Sequence, residues 1–113
     1  MSLQFEIGKR GDIVSIHLVG RVDGESGSAL DEAYTAAAGA RAHVVELDFA
    51  RVDYINSTGI ALIVGLLAKA RSSKLPLRAS GLTAHYRHIF EITRLSDFIE
   101  IVQPTHQTEP VPR

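Results

Sequence analysis

A strand-like run followed closely by a helical pattern, at the centre of the chain, constrains the fold most strongly. The run His43–Phe49 is apolar and β-like, as expected for a buried strand. The polar stretch Ala50–Asp53 is predicted to form a short hinge after it. Asn56, Ser57 and Thr58 then supply side-chain oxygens that can cap a helix by accepting a bond from an unpaired backbone N–H. The sequence therefore predicts a strand, a tight turn and a helix in direct succession.

The helix predicted after this turn runs to about Ser72. Its apolar residues recur at the i, i+3, i+4, i+7 spacing of one helix face: Ile60, Ile63, Val64 and Leu67. Other apolar residues fill much of the remaining surface, so we expect this helix to be buried on more than one side. Ser57 would lie at the N-terminal end, where free N–H groups and the helix dipole favour an anion.

The rest of the chain alternates between strand and helix patterns. The further predicted elements are strands at Leu3–Ile7 and Ile13–Val19, a helix from about Ser26 to Ala40, a strand at Leu75–Ala79, a helix from Thr83 and a strand-like piece near Ile101. Gly8–Asp12 has the composition of a hairpin turn, whereas Gly20–Gly24 is predicted to end the second strand. Pro76 indicates an edge strand or the start of a strand.

This order of elements predicts an α/β fold. We expect a single domain at residues 3–102, with a mixed four- to five-stranded β-sheet that opens on an antiparallel hairpin and packs against α-helices. Residues 103–113 contain three prolines and no core-forming pattern, and this tail is predicted to be disordered.

Composition excludes several classes of function. The formal net charge is −1, so no strong field is expected to attract nucleic acid or an acidic membrane surface. The absence of cysteine excludes disulfides, thiol catalysis and cysteine-ligated zinc, and it favours the cytoplasm. The first residues carry no apolar signal core, and the apolar run Ile60–Ala68 is interrupted by Gly65 and too short to span a bilayer. We expect a cytoplasmic protein with no membrane insertion and no nucleic-acid partner.

No residue pattern predicts catalysis, a metal or a cofactor. Ser57 does not lie in a G-x-S-x-G nucleophile elbow, because Ile55 precedes Asn56. His85 and His88 have a spacing that can hold a metal, but no carboxylates follow at a matching spacing, so surface histidines are expected. His17 alternates with apolar residues and is predicted to be a strand-face residue rather than a base. The glycines do not form a phosphate-binding loop of the G-x-x-x-x-G-K-[ST] type. An enzyme is therefore not expected.

The segment Tyr54–Ile60, leading into Val64-Gly65, resembles the STAS family, which is named for sulfate transporters and anti-sigma factor antagonists. In the bacterial antagonists the corresponding turn usually reads, in order, an aromatic residue, an apolar residue, Asp and Ser. A Ser or Thr, a Gly and a Leu then follow. This chain has Asn56 where those proteins usually have Asp. The resemblance extends over roughly residues 3 to 102, through the segments Leu18–Asp23, Gly81-Leu82, Tyr86–Thr93 and Leu95, with Arg94 where the family usually has glycine.

The resemblance implies an anti-sigma factor antagonist that is regulated by phosphorylation. Its unphosphorylated surface around Ser57 would bind an anti-sigma factor, usually also a serine kinase, and thereby release a sigma factor. The kinase would phosphorylate Ser57 and a serine phosphatase would reset the protein, which would be a monomer or a weak dimer. The partner-binding residues implied by the resemblance are Asp23, Gly24, Asn56, Ser57, Thr58, Gly59 and Ile60.

Asn56 leaves a second function open. An aspartate at this position could accept a hydrogen bond from the serine hydroxyl or aid proton movement, whereas asparagine keeps the shape without the charge. A STAS-like scaffold or docking subunit, as in stress-sensing complexes or the cytosolic part of lipid transporters, would use the same helix end without serine turnover. Asn56 shifts the weight toward this scaffold function, and no other sequence feature separates the two.

Overall fold

Strands and helices alternate along residues 3–102, which are the residues described by the computed structural model of the chain. The elements are β1 (Gln4–Arg10), β2 (Ile13–Val22), α1 (Gly27–Gly39), β3 (Val44–Ile55), α2 (Ser57–Ser72), β4 (Leu77–Ser80), α3 (Ala84–Ile92), a 3₁₀ turn (Leu95–Asp97) and β5 (Glu100–Ile101). The predicted disordered tail, residues 103–113, lies outside the described residues. None of the helices within residues 3–102 is long and apolar enough to cross a membrane.

The five strands form one mixed sheet in which spatial order follows chain order, β1-β2-β3-β4-β5. β1 and β2 pair antiparallel across a tight turn, and each later pair is parallel. These pairings confirm the predicted α/β class and the antiparallel opening hairpin. Pro76 immediately precedes β4, where the missing N–H removes no ladder bond, as expected for the start of a strand.

A single hydrophobic core lies between the sheet and the helices. Alternate residues of the central strands are fully buried, and those between them are only half-buried, as the two-residue period of a strand requires. All three helices contribute to this core. On α3, the Phe90 ring packs edge-on against Phe49 of β3, with ring centroids 5.9 Å apart. The buried strand residues are Val14, Ile16, Leu18, Val22, Val45, Leu47, Phe49, Val52, Ile55, Leu77 and Ala79.

β2 and β3 are both longer than predicted. The predicted hinge at Ala50–Asp53 was wrong, because β3 continues to Ile55. The second strand does end within Gly20–Gly24, but only after Val22 rather than at Gly20. The two extensions pair with each other, with shifts of register on either side of Gly20. Gly20 has φ 113°, a conformation that glycine adopts readily, so the strand absorbs the irregularity and continues.

α2 is buried along one stripe rather than on more than one side, which corrects a second expectation. Val64 was predicted on the apolar face, yet its side chain is 46% exposed. The reason is that α2 packs on the sheet and α1, whereas the space between the helix and the Thr93–Phe98 segment stays open. The buried residues of α2 are Gly59, Ile63, Leu66, Leu67 and Ala70.

Arg94, which precedes the 3₁₀ turn, has a left-handed backbone with φ 68° and ψ 13°. Glycine adopts this conformation without strain, whereas residues with a β-carbon do not. We expect the Arg94→Gly variant to be more stable than the Arg94→Ala variant, with a free energy of unfolding about 1 kcal/mol higher. Both variants lose the 2.8 Å pair between the Arg94 and Asp97 side chains, so the difference reports the backbone strain less the greater conformational entropy of glycine in the unfolded chain. Urea unfolding measures it, and equal stabilities of the two variants would contradict the argument.

Candidate functional site

The ends of β2 and β3 and the start of α2 meet at one edge of the sheet. Val22 and Ile55 are partners in the parallel ladder, and the Asn56 N–H donates to the Val22 carbonyl oxygen at 3.2 Å. The loop after β2 and the turn before α2 therefore lie side by side. This brings the two sequence segments predicted to form the site, residues 23–24 and 56–60, to the same edge.

Asn56 is the N-cap of α2. Its backbone is extended, and its side-chain Oδ1 accepts a hydrogen bond from the Gly59 N–H at 2.8 Å. Ser57 is consequently the first residue of the helix, and its side chain is exposed. The N–H groups of Ser57 and Thr58 point out of the first turn, where helix geometry gives them no intrahelical acceptor. The hydroxyl is therefore accessible at a helix end that favours negative charge.

The cap predicts a difference between two substitutions of Asn56. We expect Asn56→Ala to lower the free energy of unfolding by about 1 kcal/mol, because the Gly59 N–H loses its acceptor. Asn56→Asp should retain the stability of the parent, since a carboxylate accepts the same bond and is favoured by the dipole. Chemical denaturation of the three proteins tests this, and an alanine variant as stable as the other two would show that the cap contributes nothing.

The loop between β2 and α1 is held by its own side chains. The buried Ser26 hydroxyl accepts from the Asp23 N–H at 2.9 Å and donates to the Arg21 carbonyl oxygen at 3.1 Å. The Asp23 carboxylate accepts from the Glu25 N–H at 3.0 Å. Asp23 is half-buried, and its carboxylate is engaged in a hydrogen bond within its own loop. Its main role in this structure is therefore to fix the shape of the loop beside α2.

Gly24 and Gly59 set how closely this loop and α2 approach each other. Gly24 is exposed, and a β-carbon placed there would lie 3.3 Å from Thr58 Cγ2. Gly59 is buried, and a β-carbon there would lie 2.2 Å from the Val22 carbonyl oxygen. Among the predicted site residues, Gly24, Ser57 and Thr58 are exposed, whereas Asn56 is half-buried.

A hollow of about 260 Å³ adjoins Ser57, and one of its walls is α3. The sequence analysis did not place this wall at the site, although Tyr86, Ile89 and Thr93 recur on one helix face. The Tyr86 hydroxyl accepts from the Ile55 N–H at 3.0 Å, which ties α3 to the turn before α2. The residues that line the hollow are Ile55, Ser57, Ile60, Tyr86, Ile89 and Thr93.

Arg21 and Tyr54 form a contact at the same sheet edge that the sequence did not predict. They are cross-strand partners on the extended ends of β2 and β3, and the Arg21 guanidinium lies 4.3 Å from the centre of the Tyr54 ring. Tyr54 remains 38% exposed. No local signal could have placed Arg21 here, because the sequence predicted a strand break where β2 continues.

Three of the histidines that the structure describes, His17, His43 and His85, each contact one acidic or aromatic neighbour. His17, on a strand as predicted, has Nδ1 2.8 Å from Asp48 Oδ2. At the opposite end of the sheet, the hydrogen bond with His43 holds the pKa of the exposed Asp12 carboxyl below its usual value. Within residues 3–102, no three His, Asp or Glu side chains cluster closely enough to hold a metal ion.

Comparisons with known proteins agree with this geometry over nearly the whole chain. A family model described as "Mlab, STAS domain" matches residues 5–103. The anti-sigma-B factor antagonist of Listeria monocytogenes is 32% identical over 102 residues, which cover 89% of this chain and 90% of that protein.

Two solved structures have the same fold. One is the phosphorylated form of SpoIIAA, a cell fate determinant of Bacillus, with a TM-score of 0.64 and 15% identity over 91% of this chain and 95% of that chain. The other is an anti-sigma factor antagonist from Mycobacterium paratuberculosis, with a TM-score of 0.69 and 16% identity over 88% of this chain and 84% of that chain. At these identities the likeness concerns the fold alone.

Proposed function

Because the chain belongs to the STAS domain family, we propose that it is an anti-sigma factor antagonist, a regulatory protein that binds an anti-sigma factor and so releases a sigma factor. The observation that carries the proposal is the exposed Ser57 at the first position of α2, beside the exposed Gly24 loop. The full-length similarity to the Listeria antagonist supports it. In this function the protein acts by binding and carries out no catalysis of its own.

Ser57 is the proposed phosphoacceptor. Its hydroxyl is accessible to a kinase, and a phosphate there would lie near the free N–H groups of the first turn of α2. The added charge of about −1.5 to −2 would therefore be tolerated within this protein. In the bound state the same charge would face the partner surface, which it would repel. The solved phosphorylated form of SpoIIAA shows that this fold can carry the modification.

The docking face proposed around Ser57 consists of an exposed rim and a supporting layer. Gly24 and Thr58 lie on the rim, and the hollow beside Ser57 and Ile60 offers an apolar contact to the partner. Asp23 and Asn56 support this face through the hydrogen bonds that fix the loop and the helix end. The partner would be an anti-sigma factor with serine kinase activity, a serine phosphatase would reverse the modification, and the protein would act in the cytoplasm as a monomer or weak dimer.

A second candidate function is a STAS scaffold that docks through the same face without phosphorylation. Asn56 favours this candidate, because its neutral amide completes the cap of α2 and leaves no carboxylate at that position to assist proton transfer from Ser57. The two functions share a binding surface and differ only in whether Ser57 is modified.

Release of a sigma factor tests the proposed function. The protein is mixed with each sigma–anti-sigma complex of its own organism, and free sigma factor is resolved by size-exclusion chromatography. We expect release by the wild type and at least tenfold weaker release by Thr58→Arg, which places a bulky cation on the rim. Thr35→Arg, at an exposed position near the end of α1, is the matched control and should act as the wild type. If the wild type released sigma factor from none of the complexes, the proposed function would be contradicted. If Thr58→Arg released sigma factor as well as the wild type, the proposed position of the docking face would be contradicted.

A further inference from the structure

A groove runs along the C-terminal half of α2, between the helix and the segment that follows α3. It consists of two adjoining hollows of about 290 and 270 Å³, which share Leu67, Arg71 and Phe98 as lining residues. We call this surface the α2 groove and define it by Val64, Ala68, Arg71, Lys74, Arg94 and Phe98. It begins at Val64, seven residues along the helix from Ser57, or about 10 Å.

The α2 groove exposes large apolar side chains. Val64 is 46% exposed and Phe98 is 54% exposed, although both sit beside the core. They line the same hollow from opposite walls, and the exposed Ala68 lies one turn beyond Val64 along the helix. Val64, Ala68 and Phe98 therefore give the groove an apolar surface that is available to a partner.

The charged side chains that line the α2 groove are all positive. Arg71, Lys74 and Arg94 line the two hollows, and no carboxylate does. Arg94 is paired with Asp97, but within residues 3–102 no acidic side chain forms a salt bridge with Arg71 or Lys74. The Arg71 guanidinium instead lies 5.2 Å from the centre of the Phe98 ring. The groove therefore complements a ligand that is both apolar and acidic.

We propose that the α2 groove docks an amphipathic helix of a partner protein, with an apolar stripe over Val64 and Phe98 and acidic residues against Arg71 and Lys74. The part of the groove on α2, from Val64 to Ser72, is about 12 Å long, which accommodates about eight residues of a docked helix, and Lys74 lies just beyond the end of α2. This surface adjoins the hollow beside Ser57 at Thr93, which lines both, but Ser57 itself does not line the α2 groove.

Two other occupants fit the α2 groove less well. A second copy of the chain would bring Arg71 and Lys74 against the same cations of its partner in a symmetric contact, and like charges oppose association. The chain's own segment 103–113 contains Val111 as its one aliphatic residue besides proline, so it cannot supply an apolar stripe. An acidic amphipathic helix would pair its carboxylates with Arg71 and Lys74 and cover the apolar surface of the groove.

The test uses a designed probe and the full chain. The probe is a 12-residue peptide held helical by a side-chain staple, because a free helix of this length is marginal in water. Leucines form one stripe and glutamates flank it, and the matched peptide carries lysines in place of the glutamates. In amide NMR titrations we expect the glutamate peptide to shift residues 64–74 and 93–98 and to bind at least tenfold more tightly than the lysine peptide.

Charge reversal provides the control. Arg71→Glu/Lys74→Glu should weaken binding of the glutamate peptide at least tenfold and should strengthen binding of the lysine peptide. Lys9→Glu/Arg10→Glu, at exposed positions on β1, changes the net charge equally and should have no effect. Absence of binding, equal binding of the two peptides, shifts at another surface, or self-association of the free protein through the groove would each overturn the proposal. Ser57→Glu should leave peptide binding unchanged, so the outcome is independent of the proposed antagonist function.

Discussion

Replacing Gly59 with alanine is expected to destabilise the protein by about 3 kcal/mol. The new β-carbon would lie 2.2 Å from the Val22 carbonyl oxygen and 2.7 Å from the carbonyl carbon, both of them backbone atoms. Neither can yield cheaply, because the Val22 carbonyl also accepts the Asn56 N–H at 3.2 Å. The start of α2 must therefore move away from β2, which disrupts the core and the Ser57 face together. Urea unfolding monitored by circular dichroism measures the loss.

Gly65 is the matched control for Gly59 on the same helix. A β-carbon at Gly65 meets no atom within 4 Å, so Gly65→Ala should stabilise the helix by up to about 1 kcal/mol through propensity alone. The two glycine-to-alanine changes are expected to move stability in opposite directions. If both variants were destabilised equally, close packing against β2 would not be the reason for glycine at position 59.

Phosphorylation of Ser57 is expected to weaken binding to the anti-sigma factor at least 100-fold, or about 2.7 kcal/mol. The modification places a charge of about −1.5 to −2 at the centre of the proposed docking face, where the partner would have to desolvate it. The protein itself should not be destabilised, because charge at the N-terminus of α2 interacts favourably with the dipole, by about 0.3–1 kcal/mol. Lost affinity with retained stability is the combination that distinguishes a switch from unfolding.

Calorimetric titration of the purified partner into the modified and unmodified proteins measures this effect. Ser57→Glu should reproduce part of the loss, and Ser72→Glu, at the exposed C-terminal end of α2, is the control that should bind as the wild type does. Equal affinity of the modified and unmodified forms would place Ser57 outside the interface.

Local pattern predicted most of the fold, because the elements of this chain carry strong local signals. The helix after Asn56 begins where the predicted cap residues indicate, and the last helix has its N-cap at Thr83, where the sequence predicted that helix to begin. In the structure both helices are capped by side-chain oxygens. The extensions of β2 and β3 could not be predicted in the same way. Residues 50–55 are held in a strand by pairing with β2, and that pairing depends on a distant segment rather than on local composition.

The candidate site shows the same division between local and distant information. The position of Ser57 and the cap at Asn56 followed from adjacent residues. The contribution of Tyr86 from α3 and of Arg21 from β2 did not, because each reaches the site only through the tertiary fold. The exposure of Val64 was also missed, since periodicity identifies an apolar face but not which part of that face the rest of the chain covers.

The most direct test of the proposed switch is intact-mass spectrometry of the protein after incubation with ATP and the anti-sigma kinases of its own organism. The switch predicts the addition of one phosphate by at least one kinase, its loss in Ser57→Ala and its retention in Thr58→Ala. Asn56→Asp, tested in parallel, reports whether the absence of a carboxylate at position 56 limits the rate of phosphorylation. A wild-type protein that accepts no phosphate from any kinase, or accepts it at a residue other than Ser57, would contradict phosphorylation control and leave the scaffold function.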